Sequence, residues 1–101
     1  MSFYRLTKRA DADLFDIFVY TIENFGSGQA RRYSESMSRC FQLLAENPAM
    51  GRKADAIGRR IRRHEHGSHV ILYEEDAEGV LILAIVHSRS MRDLRATLDE
   101  A

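Results

Sequence analysis

Cysteine occurs once in the chain, at Cys40, and proline once, at Pro48. A lone thiol excludes an internal disulfide and any zinc site built mainly from thiolates. On a helical stripe, Cys40 reads as a buried, inert thiol. The single proline forces Asn47 out of helical geometry and so ends whatever helix precedes it. No excess of Pro, Gly, Ser or Gln points to disorder. The longest apolar run, Val80 to Val86, is far short of the ~18 residues of a membrane-crossing helix. The first residues also lack a basic region followed by an apolar stretch. The expectation is a cytoplasmic, single-domain protein over residues 1–101.

Net charge is absent too, but the zero hides segregation. Residues 1–50 balance six cations with six acids, while residues 51–66 carry six cations against two acids. Residues 67–86 hold four acids and no Lys or Arg, and 87–101 are balanced. A local basic patch on a neutral chain suits a defined partner better than general coating of nucleic acid or membrane.

Phe3 to Leu6 mixes aromatic and branched residues and predicts a first strand. Thr7 or Asp11 can cap the helix that follows. Over 12–25, Leu14, Ile17, Phe18, Ile22 and Phe25 recur at helical spacing, opposite Asp13, Asp16, Tyr20 and Glu23. Gly26 can close that helix and Ser27 can cap a second one. The second carries Ala30, Tyr33, Met37, Cys40, Phe41 and Leu44 on one stripe and stops near Glu46. Residues 48–58 have no sustained period and read as a loop. Arg59–His66, His69–Glu75 and Val80–His87 then predict an antiparallel meander with short turns. Ser90 and Asp93, with Met91, Leu94 and Leu98, predict a short C-terminal helix. The fold class expected is α+β: an N-terminal strand and an antiparallel helical hairpin on an antiparallel sheet of about four strands.

A hairpin covers one face of a sheet. Yet Val70 to Tyr73 and Val80 to Val86 are apolar on both sides of the pleat, the pattern of strands buried twice. The C-terminal segment, a second copy or another protein must cover the second face. Ile71, Tyr73, Leu83 and Ile85 are the candidate docking residues, with Leu72, Ile82 and Ala84 as the alternates of opposite parity.

Arg59, Arg60, Arg62 and Arg63 place guanidinium groups on both faces of one predicted strand, suited to bidentate contacts with phosphate or carboxylate. The bland reading is an edge strand guarded by charge. Arg89 and Arg92 follow the last strand, and a meander would join them to the first four as one basic, target-binding surface. His64, His66, His69 and His87 invite a general acid/base reading, but no Asp or Glu stands at ligand spacing with them. Neither a metal nor a cofactor is expected. A Gly-x-Ser-x-Gly nucleophile motif is absent.

Several strings occur in an order that resembles the ParE/RelE superfamily of toxins from type II toxin-antitoxin systems, most closely its ParE branch. They are Tyr4-Arg5-Leu6-Thr7, Leu44-Ala45-Glu46-Asn47-Pro48 with Gly51-Arg52, Ser68-His69-Val70-Ile71-Leu72-Tyr73, and Val86-His87-Ser88-Arg89 with Arg92-Asp93-Leu94. The resemblance implies a helical hairpin on an antiparallel sheet, a ParD-like antitoxin encoded next to the toxin, DNA gyrase as target, and inhibition by binding rather than catalysis. It is compatible with a higher-order toxin-antitoxin assembly, and it implies no sequence-specific nucleic-acid binding. The RelE branch implies a ribosome-dependent messenger RNA endonuclease instead, for which Arg59, Arg62, Tyr73, His87 and Arg89 would be the catalytic set. Two departures weigh against that branch. No Tyr or His follows Arg92, and the predicted central strands lack Lys. A non-toxic, Arg-rich nucleic-acid-binding module is the third reading.

Overall fold

The computed structural model describes residues 2–91. Strand β1 (Phe3–Leu6) leads into α1 (Lys8–Phe25) and α2 (Ser27–Glu46). A single 3-10 turn at Pro48–Met50 precedes β2 (Arg52–Lys53), β3 (Ile61–His66), β4 (His69–Asp76) and β5 (Gly79–His87). A second 3-10 turn spans Ser88–Ser90. The α+β class and the helical hairpin on a sheet are as the sequence predicts. The sheet itself is mixed and five-stranded, in the order β1-β5-β4-β3-β2. Strand β1 lies parallel to β5, with Phe3 opposite Gly79 and Leu6 opposite Ile82. The two residues of β2 fall inside the stretch read as a loop, since a two-residue strand has no period to detect. The C-terminal helix predicted from Ser90 and Asp93 lies outside the described residues.

Local chemistry explains the element ends. The Thr7 hydroxyl accepts the Ala10 N–H at 3.0 Å and caps α1, while its own proton goes to the Leu83 carbonyl at 2.8 Å. Gly26 has φ 87°, a backbone that side-chain-bearing residues avoid, and this lets α2 begin at once. Ser27 contributes no side-chain cap. At Gly79, φ 148°, β1 passes so close that a Cβ would run into the Phe3 backbone.

The hairpin covers one sheet face. Met37, Cys40, Phe41 and Leu44 from α2 and Ala10 from α1 pack on Ile71, Tyr73, Val80, Ile82 and Ile85. Burial raises the Cys40 thiol above its ordinary range, consistent with an inert core residue. On the opposite face Val70, Leu72, Ala84 and Val86 form a second cluster, against which Ile57, Ile61 and Met91 pack.

Residue Leu83 makes the two halves of β5 differ. Leu72 pairs with Ala84 but Tyr73 pairs with Ile82, so Leu83 is the extra residue of a β-bulge. Ile82 and Ile85 therefore both face the hairpin. The alternation that a regular strand would show is broken there, and beyond the last β1 pair two backbone groups of β5 bond to side chains: the Leu83 carbonyl accepts from the Thr7 hydroxyl, and the Ile85 N–H donates to Asp13 at 3.0 Å.

Candidate functional site

The cations of residues 51–66 divide into two groups because β3 turns successive side chains to opposite faces. Strand β3 starts at Ile61, so Arg59 and Arg60 sit in the turn before it and not on a strand as predicted. Arg60 has φ 69°, the only non-glycine residue described with positive φ. Lys53, Arg59, Arg60 and Arg62 surround a shallow depression of about 580 Å³, with Asp55 as its one acid. Arg62 is held by a hydrogen bond from its Nη1 to the Gly51 carbonyl at 2.7 Å. Arg63, on the other face, shares Glu65 with Arg52, at 2.8 and 2.6 Å. Burial alone would raise the Glu65 carboxyl, but the two guanidinium groups bring it below its ordinary value. That Glu also offsets the repulsion between Arg52 and Arg63, which lie directly opposite each other. The Arg63 Nε is buried without a hydrogen-bond partner.

Arg89 does not join this corner. Register aligns Ile61 with Glu74 and Leu81 at one end of the meander, and His66 with His69 and His87 at the other. Five residues of β3 separate those ends, about 17 Å. The single basic surface expected from Arg59, Arg60, Arg62, Arg63 and Arg89 is thus two regions, and Arg92 lies outside the described residues. Arg89 instead lines a groove of about 670 Å³ with Asp13, Tyr20, Tyr33, His69 and His87.

Beside that groove His66 and His69 are tied to α2. The Tyr33 hydroxyl lies 3.0 Å from the His66 carbonyl and 2.7 Å from His69 Nδ1, and His66 Nε2 lies 2.8 Å from Ser36 Oγ. A phenol has one proton, so when Tyr33 gives it to the His66 carbonyl, His69 Nδ1 must carry a proton and donate. Arg89 N–H donates to His87 Nδ1 at 3.1 Å, leaving the neutral ring's proton on Nε2. Burial, helped by neighbouring imidazoles, lowers both His66 and His69 below the ordinary histidine value. Among the described residues, no three His, Cys, Asp or Glu side chains are placed to hold a metal.

Two expectations about individual residues need correction. The nuclease set Arg59, Arg62, Tyr73, His87 and Arg89 does not converge. Tyr73 is fully buried and its hydroxyl is engaged on both sides, accepting from Gly51 N–H at 2.8 Å and donating to the Pro48 carbonyl at 2.7 Å. Burial, as the largest influence, raises that phenol further above neutral pH. The docking set fails in its parity: Ile71, Tyr73 and Ile85 face the hairpin inside the core, and Leu83 is the half-buried bulge residue. The alternates divide as well, Leu72 and Ala84 on the far face and Ile82 under the helices. That far face is packed by Ile57, Ile61 and Met91 from the chain itself, because the residues before β3 fold back over it.

What the sequence reading missed lies on α1. Helical spacing places Phe18, Ile22 and Phe25 on its core stripe, and Phe15 on neither stripe, yet all four are exposed. The inward positions are Ala10, Leu14, Ile17 and Thr21.

Comparison with known proteins agrees with this architecture. The model of a family described as the ParE toxin of the type II toxin-antitoxin system, parDE, matches residues 4–92. A Caulobacter vibrioides protein named Toxin ParE1 is 36% identical over 84 residues, covering 83% of this chain and 86% of its own length. The solved chromosomal ParDE system of P. aeruginosa contains a chain that superposes with a TM-score of 0.72 at 20% identity, covering 86% of this chain and 96% of that one. A chain of the Methanococcus jannaschii RelB-RelE antitoxin-toxin complex superposes at 0.54 with 16% identity, covering 88% and 95%, and shares the fold.

Proposed function

Since the chain belongs to the ParE toxins of type II toxin-antitoxin systems, we propose that it inhibits DNA gyrase by binding, without catalysis, and is neutralised in the cytoplasm by a ParD-like antitoxin encoded beside it. Family membership carries this reading. The site supports it in two ways. The phenol best placed in the sequence for proton transfer is locked in the core. The cations at the β2–β3 corner surround a depression with no histidine or tyrosine in its lining.

Lys53, Arg59 and Arg60, with Arg62 behind them, are the proposed target-binding residues. Their charge favours an acidic surface on the target and speeds encounter more than it deepens affinity. The purified chain is expected to inhibit gyrase supercoiling in a reaction free of ribosomes. Unchanged supercoiling at excess toxin would defeat the gyrase assignment, and codon-positioned messenger cuts on translating ribosomes would replace it with the nuclease reading.

A further inference from the structure

The depression at the β2–β3 corner holds its charge on a fixed frame. Ala54 N–H donates to the Ile61 carbonyl at 2.8 Å, and the Ala54 carbonyl accepts from Ile57 and Gly58 at 2.9 and 3.2 Å, so residues 54–61 form a closed loop. Ile57 pins that loop to the far sheet face. Arg60 is carried on it with φ 69°, a conformation that glycine or asparagine adopts more easily. An unfavourable backbone beneath a long cationic side chain points to a side chain wanted at that place.

The charge is not neutralised from within. Lys53, Arg59, Arg60 and Arg62 face one carboxylate, Asp55, which leaves an excess of three positive charges. Among the described residues none of the four is in an ion pair, and Glu65 is occupied by Arg52 and Arg63 on the other face. Arg62 gives one N–H to the Gly51 carbonyl, which fixes its position.

The rest of the lining selects the partner. The centre of a protein-protein contact calls for aromatic or large apolar anchors. Single-stranded nucleic acid calls for aromatic rings on which bases stack. Among the described residues the depression has no aromatic ring, and Ile61 is its only apolar side chain. Guanidinium and ammonium groups without stacking partners suit the backbone of a duplex, whose phosphates stand in a dense array and are contacted whatever the sequence.

We propose that the β2–β3 corner grips the phosphate backbone of duplex DNA without reading its sequence, so that the toxin contacts the DNA that gyrase holds. The inference rests on the gyrase reading and gives the target-binding residues a chemistry, with phosphodiester rather than carboxylate as their counterpart.

Anisotropy of a short labelled duplex of arbitrary sequence, titrated with the full chain over a range of salt concentrations, tests it. At ~0.9 per phosphate neutralised, three excess charges give a slope of about −3 in log affinity against log salt. Arg59→Gln with Arg60→Gln should bring the slope to about −1 and weaken low-salt binding about tenfold or more. Arg31→Gln with Arg39→Gln, exposed on α2, removes the same charge and should change affinity less than about twofold. Undiminished affinity in the folded corner variant overturns the proposal. If that variant does not fold, Lys53→Gln decides, with a slope of about −2 expected and an unchanged slope overturning the proposal. Tighter binding of a single strand of equal length would assign the corner to unpaired nucleic acid, and displacement of the duplex by poly-glutamate at matched charge would assign it to an acidic protein; either result overturns it. A wild-type chain that inhibits gyrase but does not bind the duplex at low salt defeats this inference alone. One that binds the duplex and leaves supercoiling untouched defeats the gyrase reading alone.

Discussion

Tyr73 and Gly51 are locked to each other: the phenol oxygen accepts the glycine N–H at 2.8 Å and passes its own proton to the Pro48 carbonyl. A side chain at position 51 would overlap the Tyr73 hydroxyl and approach the Arg63 carbonyl oxygen within 2.8 Å. The pair fastens the turn after α2 to the middle of the sheet. Tyr73→Phe leaves the buried Gly51 N–H and the half-buried Pro48 carbonyl unpaired, at a cost of about 1–3 kcal/mol, or a fall in Tm of several degrees in a domain of this size. Gly51→Ala should cost at least as much. Because Tyr73 is structural, the folded Tyr73→Phe chain should inhibit gyrase like wild type in a supercoiling assay, and lost inhibition in a chain that is still folded would give the Tyr73 hydroxyl a direct part in target binding.

Much of this fold is legible in the sequence, and what escapes has identifiable causes. Both helices, the hairpin turn at Gly26 and the three-stranded meander follow from spacing and turn residues. Strand parity does not, because the bulge at Leu83 shifts Ile85 to the face of Ile82 without any Gly or Pro to announce it. The orientation of α1 is missed for a different reason. Hydrophobic periodicity reports that a helix has an apolar stripe, and a stripe left exposed looks like one meant for the core. The cue was Ala10 and Thr21 beside Ile17, a narrower and smaller row that suits close approach to β5. The likeness to ParE needed neither detail, since it rests on the order of short strings along the chain.

Acidification should loosen the hairpin tip. Unfolded histidine takes up a proton near 6.5, whereas His66 and His69 in the folded chain do so only at lower pH, chiefly because they are buried. Between those values the unfolded state binds more protons, so stability rises with pH there and is lost as pH falls below about 6.5. Urea midpoints should be lower at pH 5 than at pH 7.5, and His66→Gln with His69→Gln should flatten that difference.

Arg60 separates target binding from stability. Its φ of 69° is unfavourable for a residue with a Cβ, so Arg60→Gly should leave stability unchanged or raise it by up to about 1 kcal/mol. The same substitution removes one of the outward cations at the β2–β3 corner. Weaker gyrase inhibition from a chain of equal or greater stability is the expected result; full inhibition would exclude Arg60 from the contact.

Asp13 holds α1 onto the irregular part of β5. Its carboxylate accepts the Ile85 N–H just past the bulge and beyond the last β1 pair, Leu6 opposite Ile82, and receives Arg9 at 3.1 Å on the exposed side. The exposed ion pair contributes little, so the backbone contact should dominate. Asp13→Ala leaves the Ile85 N–H without its acceptor and should cost about 1–3 kcal/mol. Asp13→Asn keeps an oxygen in place and should cost under about 1 kcal/mol. Amide exchange at Ile85 distinguishes the two causes: protection should fall in Asp13→Ala and persist in Asp13→Asn, whereas equal losses in both would mean that the carboxylate charge, rather than the hydrogen bond, secures the helix.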